Sequence, residues 1–103
     1  MPNTPLTIAA FQRLIRDRYF KTDDARGTPA TFMWLVEELG ELATALQDNA
    51  PERSATPAQR ANLEEEFADV LAWLNALAII NGVDLEKALE KYTTPGKVEG
   101  VKA

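Results

Sequence analysis

Apolar positions recur along this chain at intervals of three and four residues, the period of an α-helix, and no stretch carries a strong two-residue strand alternation. The first run is Ile8, Phe11, Leu14, Ile15 and Tyr19. Thr7 stands before it as N-cap, and Leu6 is placed to staple onto Phe11. Lys21 to Gly27, rich in charged residues and ending in glycine, reads as a loop. Thr28-Pro29 then opens a second helix, with Thr28 as cap and Pro29 in the first turn, where its missing N–H costs nothing. That helix should run to Gln47 or Asp48. Asn49 to Thr56 is a connection, Thr56-Pro57 repeats the start signal, and a third helix extends to about Asn81, where Gly82 stops it. Asp84 caps a short fourth helix, Leu85 to about Tyr92, with Val83 placed to staple onto Ala88. The pattern predicts one all-α domain over residues 1–103, with its core at about 6–92 and a mobile tail at 93–103. The expected architecture is a four-helix bundle-like subunit whose second and third helices are long and antiparallel.

Those two helices carry the same device in the same phase. At about 100° per residue, Glu38 and Glu41 lie on one side of helix two with Trp34, beside an arc of Phe32, Leu35, Val36, Leu39, Leu42 and Leu46. On helix three, Glu66 and Asp69 lie with Trp73, beside Leu63, Phe67, Val70, Leu71, Leu74 and Leu77. Residues three apart place their Cβ atoms roughly 5–6 Å apart on one surface, close enough to share a cation. Each acidic pair lies roughly 14–16 Å from the connecting turn at about 1.5 Å per residue, so the pairs face one another at one height. From Phe67 to Ile80 the third helix is apolar on nearly every side except at Asp69 and Asn75, which predicts burial. A buried charge must be paired or must coordinate a metal, and few cationic residues are near in sequence. Like charges about 4 Å apart repel by on the order of 4 kcal/mol per pair at an effective dielectric of 20. Four converging carboxylates therefore call for a cation.

Composition narrows the chemistry. The chain has 103 residues, no cysteine and no histidine, which removes disulfides, thiolate and imidazole ligands, and Cys–His or Ser–His–Asp catalysis. What remains is carboxylates, Lys, Arg and a hard cation. A net charge of −5 argues against a broad nucleic-acid-binding face, but metal can bridge an acidic site to a phosphorylated ligand. No apolar run approaches the roughly 20 residues of a membrane span, and the N-terminal residues lack the basic and apolar regions of a signal peptide. The expectation is a cytoplasmic protein with no membrane or nucleic-acid partner, its core small enough to need a second subunit.

Several polar residues carry two readings. Arg13 and Arg16 form a solvated face or reach a phosphate; Lys91 and Lys97 belong to a tail or close over one. Trp34 and Trp73, beside the acids, are core aromatics or a stacking surface for a base. Asn75 contacts sugar or base, or makes a helix-to-helix hydrogen bond. Gly40 permits close helix packing or leaves room beside Glu41.

Glu37-Glu38-x-x-Glu41 and, 24 residues on, Glu66-x-x-Asp69, in the settings Phe32-Met33-Trp34-Leu35-Val36 and Ala68-Asp69-Val70-Leu71-Ala72-Trp73-Leu74, resemble the MazG-like nucleotide pyrophosphohydrolases of the all-α NTP pyrophosphatase superfamily. The likeness covers roughly residues 6–92. It implies hydrolysis of a nucleoside triphosphate, NTP or dNTP, between the α and β phosphates. Glu38, Glu41, Glu66 and Asp69 would then be Mg2+ ligands, with Mn2+ possible, and Glu37 would orient a ligand or an outer water. Glu41, furthest from the apolar stripe, is the expected base, with Glu38 beside it as second catalytic residue. The resemblance also implies a homodimer or homotetramer. Relatives carry a Lys, Asn and Arg set after the second motif, where this chain offers Lys91 and Lys97. The rival activities are a phosphoribosyl-ATP pyrophosphohydrolase of the same superfamily and a non-catalytic helical assembly module.

Overall fold

The computed structural model describes residues 4–96. Helix α1 spans Ile8–Arg26, α2 Thr28–Asp48, α3 Pro57–Ile80, α4 Leu85–Ala88 and α5 Glu90–Thr93, with one 3-10 turn at Pro51–Arg53 in the α2–α3 connection. Among the described residues there is no strand, and no single helix is long and apolar enough to cross a membrane.

Local chemistry explains most of the boundaries. The Thr7 hydroxyl accepts the Ala10 N–H at 3.0 Å. Thr56 forms a full capping box, its hydroxyl accepting from Gln59 N at 3.1 Å while its own N–H donates to Gln59 Oε1 at 2.9 Å. At the end of α3, Gly82 takes φ 68°, and two bonds close a Schellman motif: Gly82 N–H to Ile79 O at 3.1 Å and Val83 N–H to Ala78 O at 2.9 Å.

Three expectations are corrected. Lys21 to Arg26 is the last part of α1, not a loop. Asp23 and Arg26 pair across one turn at 3.0 Å, and Gly27 alone, at φ 83°, makes the reversal while its N–H donates to Asp23 O at 3.0 Å. Thr28 does not cap α2, because Gly27 holds that position; the Thr28 hydroxyl accepts instead from Asn81 Nδ2 at 3.1 Å. The expected fourth helix breaks at Leu89 into α4 and α5, with Tyr92 N–H reaching Leu89 O in a tight turn at 2.8 Å. Leu89 and Tyr92 are exposed, so little tertiary packing holds a regular helix there. Most of the tail, including Lys97, lies outside the described residues.

Helices α2 and α3 form an antiparallel hairpin tied at both ends, by Asn49 Nδ2 donating to Gln59 O at 3.1 Å and by Asn81 Nδ2 donating to Thr28 Oγ1. That register sets Glu38 opposite Val70 and Leu71. The buried line of α2 is Thr31, Leu35 and Ala45, with Glu38 and Leu42 between them half-buried; on α3 it begins at Leu63 and Glu66 and continues through the half-buried Val70, Trp73 and Leu77. Both lines step by four and three residues, the seam of a two-helix supercoil. Helix α1 covers another side of α3, where Ile15, Ala76 and Ile79 form the core with Phe11 and Ala72 against them.

The seam is narrower than the apolar arc read from the sequence. Phe32, Val36, Leu39 and Leu46 on α2, with Phe67, Leu71 and Leu74 on α3, are 41–54% exposed. They lie roughly 80–160° around their helices from Glu38 and Glu66, so one apolar face of the hairpin has no cover within the chain. The predicted burial of α3 on all sides therefore does not hold within one subunit.

Gln12 locks the α3–α4 corner to α1. It is 6% exposed, its Nε2 donates to Val83 O, and its Oε1 accepts from Leu85 N at 3.0 Å. Gln12→Leu should leave the Val83 carbonyl and the Leu85 N–H unpaired at this part-buried corner, at a cost of about 1–3 kcal/mol in all. Urea unfolding should show a clearly lower midpoint with an unchanged slope.

Candidate metal centre

The seam that holds the hairpin together contains acids where a supercoil would ordinarily carry leucine. Glu38 and Glu66 occupy seam positions, and Asp69 stands one turn beyond Glu66. One carboxylate oxygen from each of Glu38, Glu66 and Asp69 lies within 4.8 Å of the others. Glu66 is buried, Glu38 half-buried and Asp69 exposed, so the buried acid of α3 is Glu66 and not Asp69. Glu41, exposed, stands near enough for its charge to act on both Glu38 and Glu66.

The cluster has the polarity of a cation site. Glu38 Oε2 and Glu66 Oε2 are shielded from solvent and have no hydrogen-bond partner. Among the described residues the ion pairs are Arg26–Asp23 and Arg53–Asp48, so none of the four acids is neutralised by Lys or Arg. Burial first, then the carboxylates of Glu41, Asp69 and Glu66, push the Glu38 carboxyl from 4.5 to about 7. Burial first and the Glu41 carboxylate next also raise Glu66. Orphaned oxygens, no nitrogen or sulfur donor and a surplus of negative charge fit a hard divalent cation.

The two tryptophans extend the site along the hairpin. Trp34 is one turn before Glu38 and Trp73 one turn after Asp69; their rings stack at 5.9 Å between centroids with 12° between planes. The Arg26 guanidinium lies 5.0 Å from the Trp73 ring centroid.

The MazG nucleotide pyrophosphohydrolase domain model matches residues 26–95, most of the described chain and all four acids. The chain belongs to the MazG nucleotide pyrophosphohydrolase domain family. No curated protein matches it significantly. The matched segment starts at the last residue of α1 and takes in the whole hairpin with its acids.

Other expected site residues are distributed differently. Glu37 is exposed and lines a separate shallow groove with Ala30, Met33 and Trp34. Asn75 is 1% exposed; its Nδ2 donates to Leu71 O of its own helix at 2.8 Å, and its Oδ1 is buried without a hydrogen-bond partner. Arg13 lines a cavity with Gly82, Val83 and Asp84, about 20 Å beyond Asp69 along the α3 direction. Lys91 lies 5.6 Å from the Tyr92 ring centroid on α5. A Cβ built at Gly40 meets nothing within 4 Å, so packing within the chain does not require glycine there. The reading by composition missed Arg26 and Asp23 because it made their segment a loop. Their three-residue spacing, ordinary for a helical ion pair, was the available signal.

The raised carboxyls make a signed prediction. Below about pH 4.5 folded and unfolded chains both hold the Glu38 proton; between 4.5 and about 7 only the folded chain does. Stability of the metal-free protein should therefore fall as pH rises through that window and level off above it. Thermal melts in EDTA should show a melting temperature several degrees lower at pH 8 than at pH 5. Millimolar Mg2+ should restore it at pH 8, and Glu66→Gln should flatten the profile while weakening the Mg2+ effect.

Proposed function

We propose that this chain is a Mg2+-dependent nucleoside triphosphate pyrophosphohydrolase, converting NTP or dNTP to the monophosphate and pyrophosphate. The supporting observation is the group of three carboxylates from two helices, two of them with buried, partnerless oxygens, within a MazG domain. Glu38, Glu66 and Asp69 are the primary ligand set, with Glu41 at its margin, and Mn2+ suits the same donors. Bound there, the cation would neutralise phosphate charge and acidify a water.

The carboxylates have distinct tasks. Glu41 is the least enclosed of the glutamates in the cluster, and it accepts the proton of the attacking water. The water oxygen bonds to the α phosphorus as the bond to the bridging oxygen breaks, and that oxygen leaves on pyrophosphate. Glu38, one turn before Glu41 on the same helix, would hold the cation beside it and so positions it. A purely structural role for the acids is the weaker reading. Unneutralised, they oppose the fold they sit in.

The uncovered face of the hairpin completes the proposal. Phe32, Val36 and Leu39 beside Phe67, Leu71 and Leu74 make a continuous apolar stripe, the kind of surface that marks an association site. Its occupant is a second copy of the chain, packed across a two-fold axis so that one stripe covers the other. Pairing of such dimers would give a tetramer.

With wild-type protein and Mg2+, pyrophosphate should be released from nucleoside triphosphates, and EDTA should abolish the release. Glu41→Gln should lower kcat by about 10²–10⁴-fold with Mg2+ binding largely kept, whereas Asp69→Asn should weaken Mg2+ binding itself. A Glu41→Gln variant with full turnover would remove Glu41 from the base role. Sedimentation of Phe67→Asp should show a monomer where the wild type is at least a dimer; an unchanged sedimentation coefficient would place the interface elsewhere.

A further inference from the structure

The end of α3 sets two local demands side by side. Asn81, the C-cap residue, ties α3 to the first residue of α2: its Nδ2 donates to Thr28 Oγ1 at 3.1 Å and to Leu77 O at 2.8 Å. The next residue must take positive φ to close the Schellman motif, and Gly82 does so at 68°, a conformation open to glycine and strained for other residues. The fold thus places an Asn-Gly pair in an exposed turn, and Asn81 alone among the asparagines of the chain precedes a glycine. That pair has a chemistry of its own. With no Cβ on the following residue, its main-chain nitrogen meets the least hindrance in attacking the asparagine side-chain amide.

The native hydrogen bonds hold these reactants apart. The Gly82 N–H, which carries the attacking nitrogen, is committed to Ile79 O at 3.1 Å, and the leaving nitrogen, Asn81 Nδ2, is held by two acceptors. At the Asn81 ψ of 9° the Gly82 nitrogen nearly eclipses the Asn81 nitrogen, whereas closing a five-membered ring requires it to eclipse Cβ. Attack therefore waits for a local opening of the turn that releases these bonds together.

We propose that Asn81 is a latent deamidation site, gated by the end of the α2–α3 hairpin that lies away from the connection. When the turn opens, the Gly82 nitrogen bonds to Asn81 Cγ and gives up its proton, the Cγ–Nδ2 bond breaks, and Nδ2 takes up a proton and leaves as ammonia. Water then opens the resulting succinimide at either carbonyl, leaving aspartate or isoaspartate at position 81. Either product undoes the joint. An ionised carboxylate accepts hydrogen bonds and donates none, so the bond to Leu77 O is lost, and negative charge stands at the C-terminal end of α3, where the helix dipole disfavours it. Isoaspartate also lengthens the main chain inside the turn that leads to Val83 O, the acceptor of Gln12 Nε2, so the change reaches the lock between α1 and the α3–α4 corner. The modification is a one-way record of how often this end of the hairpin opens, and it is independent of the acid cluster.

Conversion at position 81 is followed by peptide mass spectrometry on the full chain at mildly alkaline pH, both native and in urea above the unfolding transition. In urea Asn81 should convert before any other asparagine, and in the native chain it should convert more slowly by about tenfold or more. Thr28→Val, which keeps the side-chain shape and removes the acceptor, should speed native conversion about threefold or more and leave the rate in urea unchanged. Asn49→Ala, which cuts the tie at the other end of the hairpin, should leave native conversion within about twofold of wild type. Asn81→Asp, one of the two products, should lower the urea midpoint at unchanged slope. Native conversion as fast as in urea, or equal acceleration by Thr28→Val and Asn49→Ala, overturns the gate. Another asparagine converting first in urea overturns the site, and an Asn81→Asp midpoint equal to wild type overturns its effect on the joint. The wild-type comparisons do not depend on any variant folding.

Discussion

Everything in this structure bears on one electrostatic conflict, the meeting of like-charged carboxylates in the seam of a helical hairpin. Seam positions are where two helices gain most of their packing energy, and Glu38 and Glu66 spend two of them on groups that repel. The hairpin forms because the cost is local. Leu35, Ala45 and Leu63 fill other seam positions, and polar ties close both ends, Asn49 to Gln59 and Asn81 to Thr28. Stability at the ends of the hairpin holds in place a middle that is electrostatically unfavourable until a cation enters. That arrangement stores binding energy for metal in the fold itself.

The same phase relation divides the hairpin into surfaces with different tasks. Acids and tryptophans lie along the seam and its edge, α1 covers the side of α3 that carries Ala72, Ala76 and Ile79, and Phe32, Val36, Leu39, Phe67, Leu71 and Leu74 face away from both. Because helices α2 and α3 repeat one pattern, the acidic surface and the uncovered apolar face are each built from both, whereas the surface under α1 belongs to α3. The acids, the ring stack and the apolar face therefore adjoin without competing for residues.

Helix α1 lies almost wholly before the segment that the MazG model matches. Its continuation six residues past Phe20 to Arg26 brings a buried carboxylate and a guanidinium to the edge of the aromatic stack. Gln12, buried near its other end, fixes α1 to the α3–α4 corner through two hydrogen bonds to the backbone. A helix held this firmly can present polar groups to a cavity without drifting.

Helix periodicity, the Thr56 capping box, the Gly82 stop and the equal heights of Glu38–Glu41 and Glu66–Asp69 were all readable in the linear chain, because each follows from spacing along one helix or from counting back to one turn. The motif alone also sufficed for family membership. Which part of a broad apolar arc becomes the seam was not readable, since that depends on how two helices rotate against each other; the hairpin chose the Thr31–Leu35–Glu38–Ala45 line and left Phe32, Val36 and Leu39 uncovered. Nor could spacing show that Asn75 turns inward, that Arg13 goes to the far end of α3, or that Arg26 reaches Trp73 from another helix. The sequence determined which residues each helix could offer, through local hydrogen bonding and period; the tertiary structure alone decided which of them meet, because burial and electrostatic pairing are settled only when separate helices come into contact.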